Sequence, residues 1–148
     1  MKVFKFNLDI VRRLRGVDED RKKREFGDAL RGLMAEEILL TRLEDALMEH
    51  DRQVSECCEK ALKQQDFKVN EYYMKFLRMQ IKSQKKNIEK AQRKVDKKRS
   101  ELSEAVKHKQ MMDKLKDKAQ ETYDHDLALE EQAELDEMTS QRYESTHP

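Results

Sequence analysis

The sequence contains no tryptophan, three glycines and a single proline. From Asn70 to Tyr143 it has neither glycine nor proline. None of the glycines precedes a Lys-Ser or Lys-Thr pair, so there is no glycine-rich phosphate loop. No apolar run approaches the roughly eighteen residues of a membrane span. The opening Met1-Lys2-Val3-Phe4-Lys5-Phe6 lacks the apolar core of a signal peptide. The two cysteines, Cys57 and Cys58, are adjacent, which suits free thiols in a reducing compartment rather than a disulfide framework. Net charge is +1, so the whole chain has no strong pull toward nucleic acid or an anionic membrane. The expected location is the cytoplasm, with no direct membrane insertion and no nucleic-acid partner.

What is present points to helix. Charged residues make up 43% and hydrophobic residues 36%, a mix that supplies a narrow seam but not a broad core. Good helix formers dominate, and their apolar residues are periodic, which argues against disorder. Unbroken, the stretch from Asn70 to Tyr143 would be roughly 110 Å of helix. Its apolar stripe needs an equally long cover, and the preceding stretch is the only candidate. The expected fold is all-α: an elongated antiparallel two-helix coiled-coil hairpin, one unit over residues 1–148. Helix one is expected over about 8–63, a turn over about 64–70, helix two over about 70–142, and a disordered tail over 144–148.

In chain order, the first residues alternate as an extended lead-in, and Asn7 is the expected helix cap. Helix is expected through Gly16, a weak point where it frays or bends, with Asp18 able to restart it. From Phe26 a heptad register runs through Ala29, Leu33, Glu36, Leu40, Leu43, Leu47, His50, Val54, Cys57 and Ala61. The turn is placed on Asp66 and Asn70, residues that favour turns and caps. The second seam reads Tyr73, Leu77, Ile81, Gln84, Ile88, Ala91, Val95, Lys98, Leu102, Ala105, Lys109 and Met112. It continues through Leu115, Ala119 and Thr122, so the step after Met112 reads as a stammer. Gln84, Lys98 and Lys109 read as positions that weaken the seam.

Charge supports the antiparallel direction. Lys82 to Arg99 holds nine basic and two acidic residues, and Glu36 to Glu59 holds eight acidic and two basic. Asp124 to Glu144 is acidic and Met1 to Glu25 is basic. A hairpin turning near 67–70 sets acidic beside basic twice, which specifies direction more than it stabilises.

No catalytic, cofactor-binding or metal-binding constellation stands out, so the chain is not expected to be an enzyme. His50 and Cys57 are about 10 Å apart on a helix, too far to share a metal. Cys57 reads as a small seam filler. Asp124-His125-Asp126 points three ways around a helix and reads as solvated surface. Phe67, Tyr72, Tyr73 and Phe76, with Met74, Leu77 and Met79 among them, cannot all enter a two-helix seam, so part of this cluster is expected on the surface near the turn, either in local packing around the turn or as a partner-docking patch.

Two segments carry a family resemblance. Phe4-Lys5-Phe6-Asn7-Leu8-Asp9-Ile10-Val11-Arg12-Arg13-Leu14-Arg15 resembles the F-x-F-x-L-x-x-V-L-x-x-R opening of the flagellar export protein FliJ family. Glu131-Gln132-Ala133-Glu134-Leu135-Asp136-Glu137-Met138 is similar to the E-Q-K-E-L-D-E-L/A segment near that family's C-terminus. Arg12 stands where the family often has Leu, and Ala133 where it often has Lys. The resemblance implies a two-helix stalk of the flagellar type III export apparatus. It implies binding to the hexameric export ATPase, promotion of ring assembly, contact with the cytoplasmic domain of the export gate, and a link to export chaperones. It also implies peripheral association with the inner face of the cell membrane at the flagellar base. The ATPase contacts expected on this basis are Leu8, Val11, Arg12, Arg13, Arg15, Glu131, Gln132, Glu134, Asp136 and Glu137, with the two ends of the chain paired. The equivalent stalk of a virulence injectisome, a nucleic-acid-binding coiled-coil arm and a plain coiled-coil dimer are the competing readings.

Overall fold

The computed structural model describes residues 2–58 and 64–146. Two helices account for nearly all of them: α1 over Asp9–Cys58 and α2 over Gln64–Thr146. Among the described residues there is no strand. Contacts divide the chain into two units, Met1–Asp20 with Glu104–Pro148, and Arg21–Ser103. In each unit a part of α1 packs on a part of α2.

The unit of residues 21–103 holds the apolar core. Ala29, Leu33 and Val95 are buried together, with Phe26, Leu30, Ile88 and Ala91 packed around them. Val95 is only 1% exposed, and burying such a side chain contributes about 1.5–3 kcal/mol. Leu77 and Ile81 are buried further along α2. The predicted register of helix one holds from Phe26 to Val54, every position of which is buried or half-buried. It fails at Cys57, which is exposed rather than a seam filler. The α2 residues Phe67, Lys68 and Val69 are exposed as well, so burial ends short of both. Ala61 lies outside the described residues.

Direction follows from the partners. Glu25 meets Lys98, Glu36 meets Gln84, and His50 meets Tyr73, so numbers rise on α1 as they fall on α2. The pairing is antiparallel, as charge predicts, but its register differs from the one charge predicts. Lys98 and Arg99 lie against Glu25 and the Phe26 ring, not against the acidic block from Glu36. The cause is the turn. Residues 64–70, expected to be the turn, are helical, and Asn70 lies inside α2 rather than capping it. Asp66 sits in the first turn of α2, where a carboxylate favours the positive end of the helix dipole. No glycine or proline interrupts this region to stop the helix sooner. Because α2 starts earlier than expected, every pairing slides to lower numbers on α2.

Three polar seam residues, expected to weaken the pairing, each have a partner on α1. In this unit Gln84 is buried; its Nε2 donates to the Glu36 carbonyl at 2.9 Å and to the Glu36 carboxylate. Asn87 Nδ2 donates to Gln84 Oε1 at 3.3 Å. Lys98 Nζ donates to Glu25 at 3.2 Å and Glu101 at 3.4 Å, and Lys22 Nζ reaches the same two carboxylates at 3.6 and 3.4 Å. Two lysines and two glutamates therefore alternate, two from each helix. The hydrogen bond from Lys98 holds the Glu25 carboxyl below its usual range and raises the Lys98 ammonium in return. Partial burial pushes Glu101 upward, but Lys22 and Lys98 outweigh it and leave its pKa lowered.

In the unit of residues 1–20 and 104–148 the interface is more polar. Among its described residues, Ala105 and Glu19 are the buried ones. Lys109, the third polar seam residue, sets its Nζ 3.4 Å from the Glu19 carboxylate. A Cβ at Gly16 would sit 3.9 Å from the Lys109 side-chain stem, so the glycine lies beside that stem. The helix runs through Gly16 and Asp18, as expected, and without fraying at the glycine. Its start is a residue or two later than Asn7: Arg12 N–H donates to the Leu8 carbonyl at 2.9 Å, and helix begins at Asp9. Residues 2–6 are non-helical and fold back on α2. Phe4 packs on Tyr123 at 5.4 Å, and the Tyr123 hydroxyl donates to the Lys2 carbonyl.

The predicted stammer is absent. Past Met112 the half-buried line continues through Lys116, Ala119 and Tyr123, while Leu115 and Thr122 are exposed. A lysine stem lying along an apolar surface hides this step from a reading by hydrophobic type. The end of α2 is helical to Thr146, where residues 144–148 were expected to be disordered; His147 and Pro148 lie outside the described residues.

Candidate partner-docking surfaces

The residues expected at the two ends do not meet. Arg12 Nε donates to Asp113 at 2.8 Å, a bond that raises the Arg12 pKa. Arg13 pairs with Asp9 at 3.0 Å. Val11, Arg12 and Arg15 are half-buried on α1, while Leu8 and Arg13 are exposed. Glu131, Gln132, Glu134, Asp136 and Glu137 lie in a run, residues 128–146, that is exposed throughout. From Asp113 to Glu134 is about 31 Å of helix. The two ends are therefore separate surfaces. The expected pairing of the two ends gives way to pairing of α1 residues 12–22 with α2 residues 101–113.

The run is an acidic helix with exposed Leu129, Leu135, Met138 and Tyr143. The lead-in stops alongside its start: an open groove of about 760 Å³ is lined by Lys2, Phe4, Tyr123, Leu127 and Glu130.

The aromatic cluster in the other unit also divides. Tyr72 and Phe76 are 70% and 54% exposed. Val69 and Met79, exposed too, share their face at spacings of three, four and three residues. Tyr73 is turned partly toward the seam, its ring 4.6 Å from that of His50 in an edge-on contact. Phe67 is exposed on another side, where it borders a small cavity with Val54, Asn70 and Met74. The outward stripe is thus Val69, Tyr72, Phe76 and Met79. The sequence reading places Met79 in this cluster but misses Val69, although its helical spacing was there to be counted. It also missed Ile10, Leu14 and Val17, exposed on α1.

Among the described residues no group of three or more His, Cys, Asp or Glu gathers to hold a metal ion. No described helix is long and apolar enough to cross a membrane. What the described surfaces offer is exposed apolar stripes and a charged helix end, features common on surfaces that contact other proteins.

Compared with known families, the chain matches the flagellar FliJ protein family over residues 4–146. No curated protein and no solved structure matches it. The match takes in both units and nearly every described residue, and the chain belongs to the flagellar FliJ protein family.

Proposed function

We propose that the chain is a non-catalytic adaptor of flagellar protein export that docks on the hexameric export ATPase, promotes assembly of its ring, and links it to the cytoplasmic domain of the export gate and to export chaperones. Family membership supports a role in flagellar export. The observation that carries the finer reading is the acidic run of α2 from residue 128 to 146, helical and exposed along its whole length. A preformed helix with exposed carboxylate, leucine and methionine side chains loses little entropy on binding. Glu131, Gln132, Glu134, Asp136 and Glu137 are the proposed ATPase contacts there. Leu8, Arg13 and Arg15 are proposed from α1, with Val11 and Arg12 positioning that segment. The stripe at Tyr72 and Phe76, with Phe67 and Tyr73 nearby, is the proposed docking patch for the gate or a chaperone. The protein works in the cytoplasm, at the inner face of the membrane under the flagellar base, held there by its partners.

The test is a titration of the purified export ATPase of the same organism with this chain, following ATP hydrolysis and ring formation. Stimulation is expected, and reversing Glu131, Glu134 and Glu137 to Lys is expected to abolish it. Neutralising Arg12 is a poorer probe, because it also removes the Asp113 contact between the helices. No binding and no stimulation by the unaltered chain would overturn the reading.

A further inference from the structure

We propose that the outward stripe of α1 at Ile10, Leu14 and Val17 is covered by the free end of α2 from a second copy of this chain. Ile10, Leu14 and Val17 are 73%, 63% and 62% exposed. Steps of four and three residues set them on one face of α1. Val11, Arg15 and Asp18, half-buried, lie about a quarter to a third of a turn further round the helix. Three large apolar side chains in line are an unusual use of a face left to water.

The free end of α2 has the complementary defect. The half-buried line through Ala119, Tyr123 and Leu127 continues at helical spacing to Leu135 and Met138, which are 64% and 56% exposed. The seam thus extends past the last residue of the chain's own N-terminal segment that covers it. The chain's own tail cannot turn back onto the stripe, because α2 is continuous to Thr146. A second copy of α1 can occupy the vacant lane. Charge favours this occupant: Lys2 to Arg15 holds five basic residues and one acidic, whereas Ala128 to Thr146 holds six acidic and one basic. Length permits it, since the stripe spans about 10 Å and the free helix about 28 Å. A two-fold axis makes the exchange reciprocal and closed, each tail covering the other copy's stripe. The pairing does not rest on the ATPase reading, and its test involves no other protein.

Sedimentation equilibrium of the full chain should show a reversible passage from the one-chain mass of 17.8 kDa to twice that as concentration rises. Association should weaken between about 0.1 and 1 M salt, where the screening length falls from ~10 to ~3 Å. Leu14→Glu and Leu135→Glu should each weaken it at least roughly tenfold. Both positions are exposed, so helix content by circular dichroism should not change. As a second measurement, a Leu14→Cys chain is mixed with a Leu135→Cys chain, both also carrying Cys57→Ser and Cys58→Ser. Oxidation should yield a cross-linked pair from the mixture. A one-chain mass at every concentration, a two-chain mass that survives both substitutions, or no cross-link in the mixture would overturn the proposal.

Discussion

At the residue scale, the informative positions are those where polar groups interrupt an apolar seam. Gln84, Lys98 and Lys109 were legible as interruptions, but their effect was not. A glutamine or lysine in the sequence carries no mark of which residue on the other helix it meets. In the fold each meets a particular part of α1, so each reports register, which interchangeable leucines do far less. The four charges Lys22, Glu25, Lys98 and Glu101 give a pH prediction. Glu25 and Glu101 have lowered pKa values in the folded chain. Their contribution is full above the unfolded value of about 4.3 and is lost as pH falls through the lowered folded values. Lys98, raised, contributes fully below its unfolded value of about 10.4 and loses that contribution as pH rises through its folded value. Thermal melts should therefore be level near neutrality and drop below about pH 4. Lys98→Met should flatten that acid limb, and an identical limb in the variant would show that the pairing contributes nothing. His50 differs from these residues: its Nε2 is buried with no hydrogen-bond partner, and its ring packs edge-on against that of Tyr73.

At the element scale, both helices are consequences of composition, and their ends are not. No glycine or proline lies between Gly32 and Pro148 to fix where a helix ends. Asp66 and Asn70 were therefore weak evidence for a turn, since both residues are tolerated inside a helix and Asp66 is favoured in its first turn. Gly16 is the converse case, where helix is expected to continue and does. A lone glycine costs about 1 kcal/mol in a helix, too little to end one that is packed on a neighbour. Gly32 makes this measurable. It is exposed, and a Cβ there would meet nothing within 4 Å. Gly32→Ala should raise unfolding stability by about 1 kcal/mol, read as a higher urea midpoint with unchanged slope. A decrease would mean that the glycine serves a close approach the structure does not contain.

At the scale of the whole molecule, the two units divide the labour. The unit of residues 21–103 holds most of the buried apolar side chains. The unit of residues 1–20 and 104–148 holds a thinner, charged interface and ends in helix that buries nothing. Terminating the chain after Glu131 should leave the thermal unfolding midpoint unchanged, within about 0.5 kcal/mol, as for exposed sites generally. The same truncation should abolish ATPase stimulation and self-association. A large loss of stability would show that the end of α2 packs on something within the chain.

The sequence by itself determined that this protein is all-helical, that its helices pair antiparallel, and which family it belongs to. Helix follows from local preferences and seven-residue periodicity, and the family from short segments near both ends. Antiparallel direction follows from charge summed over long blocks, an average that tolerates an error of several residues. Only the tertiary structure decided register, and with it the partner of every seam residue and the stretch of α2 left bare. Register depends on where the turn falls, and heptad sequences fit one another almost equally well after a slide. The choice rests on a few specific contacts, Gln84 with Glu36, Lys98 with Glu25 and Lys109 with Glu19, each of which pairs one residue with another far along the chain.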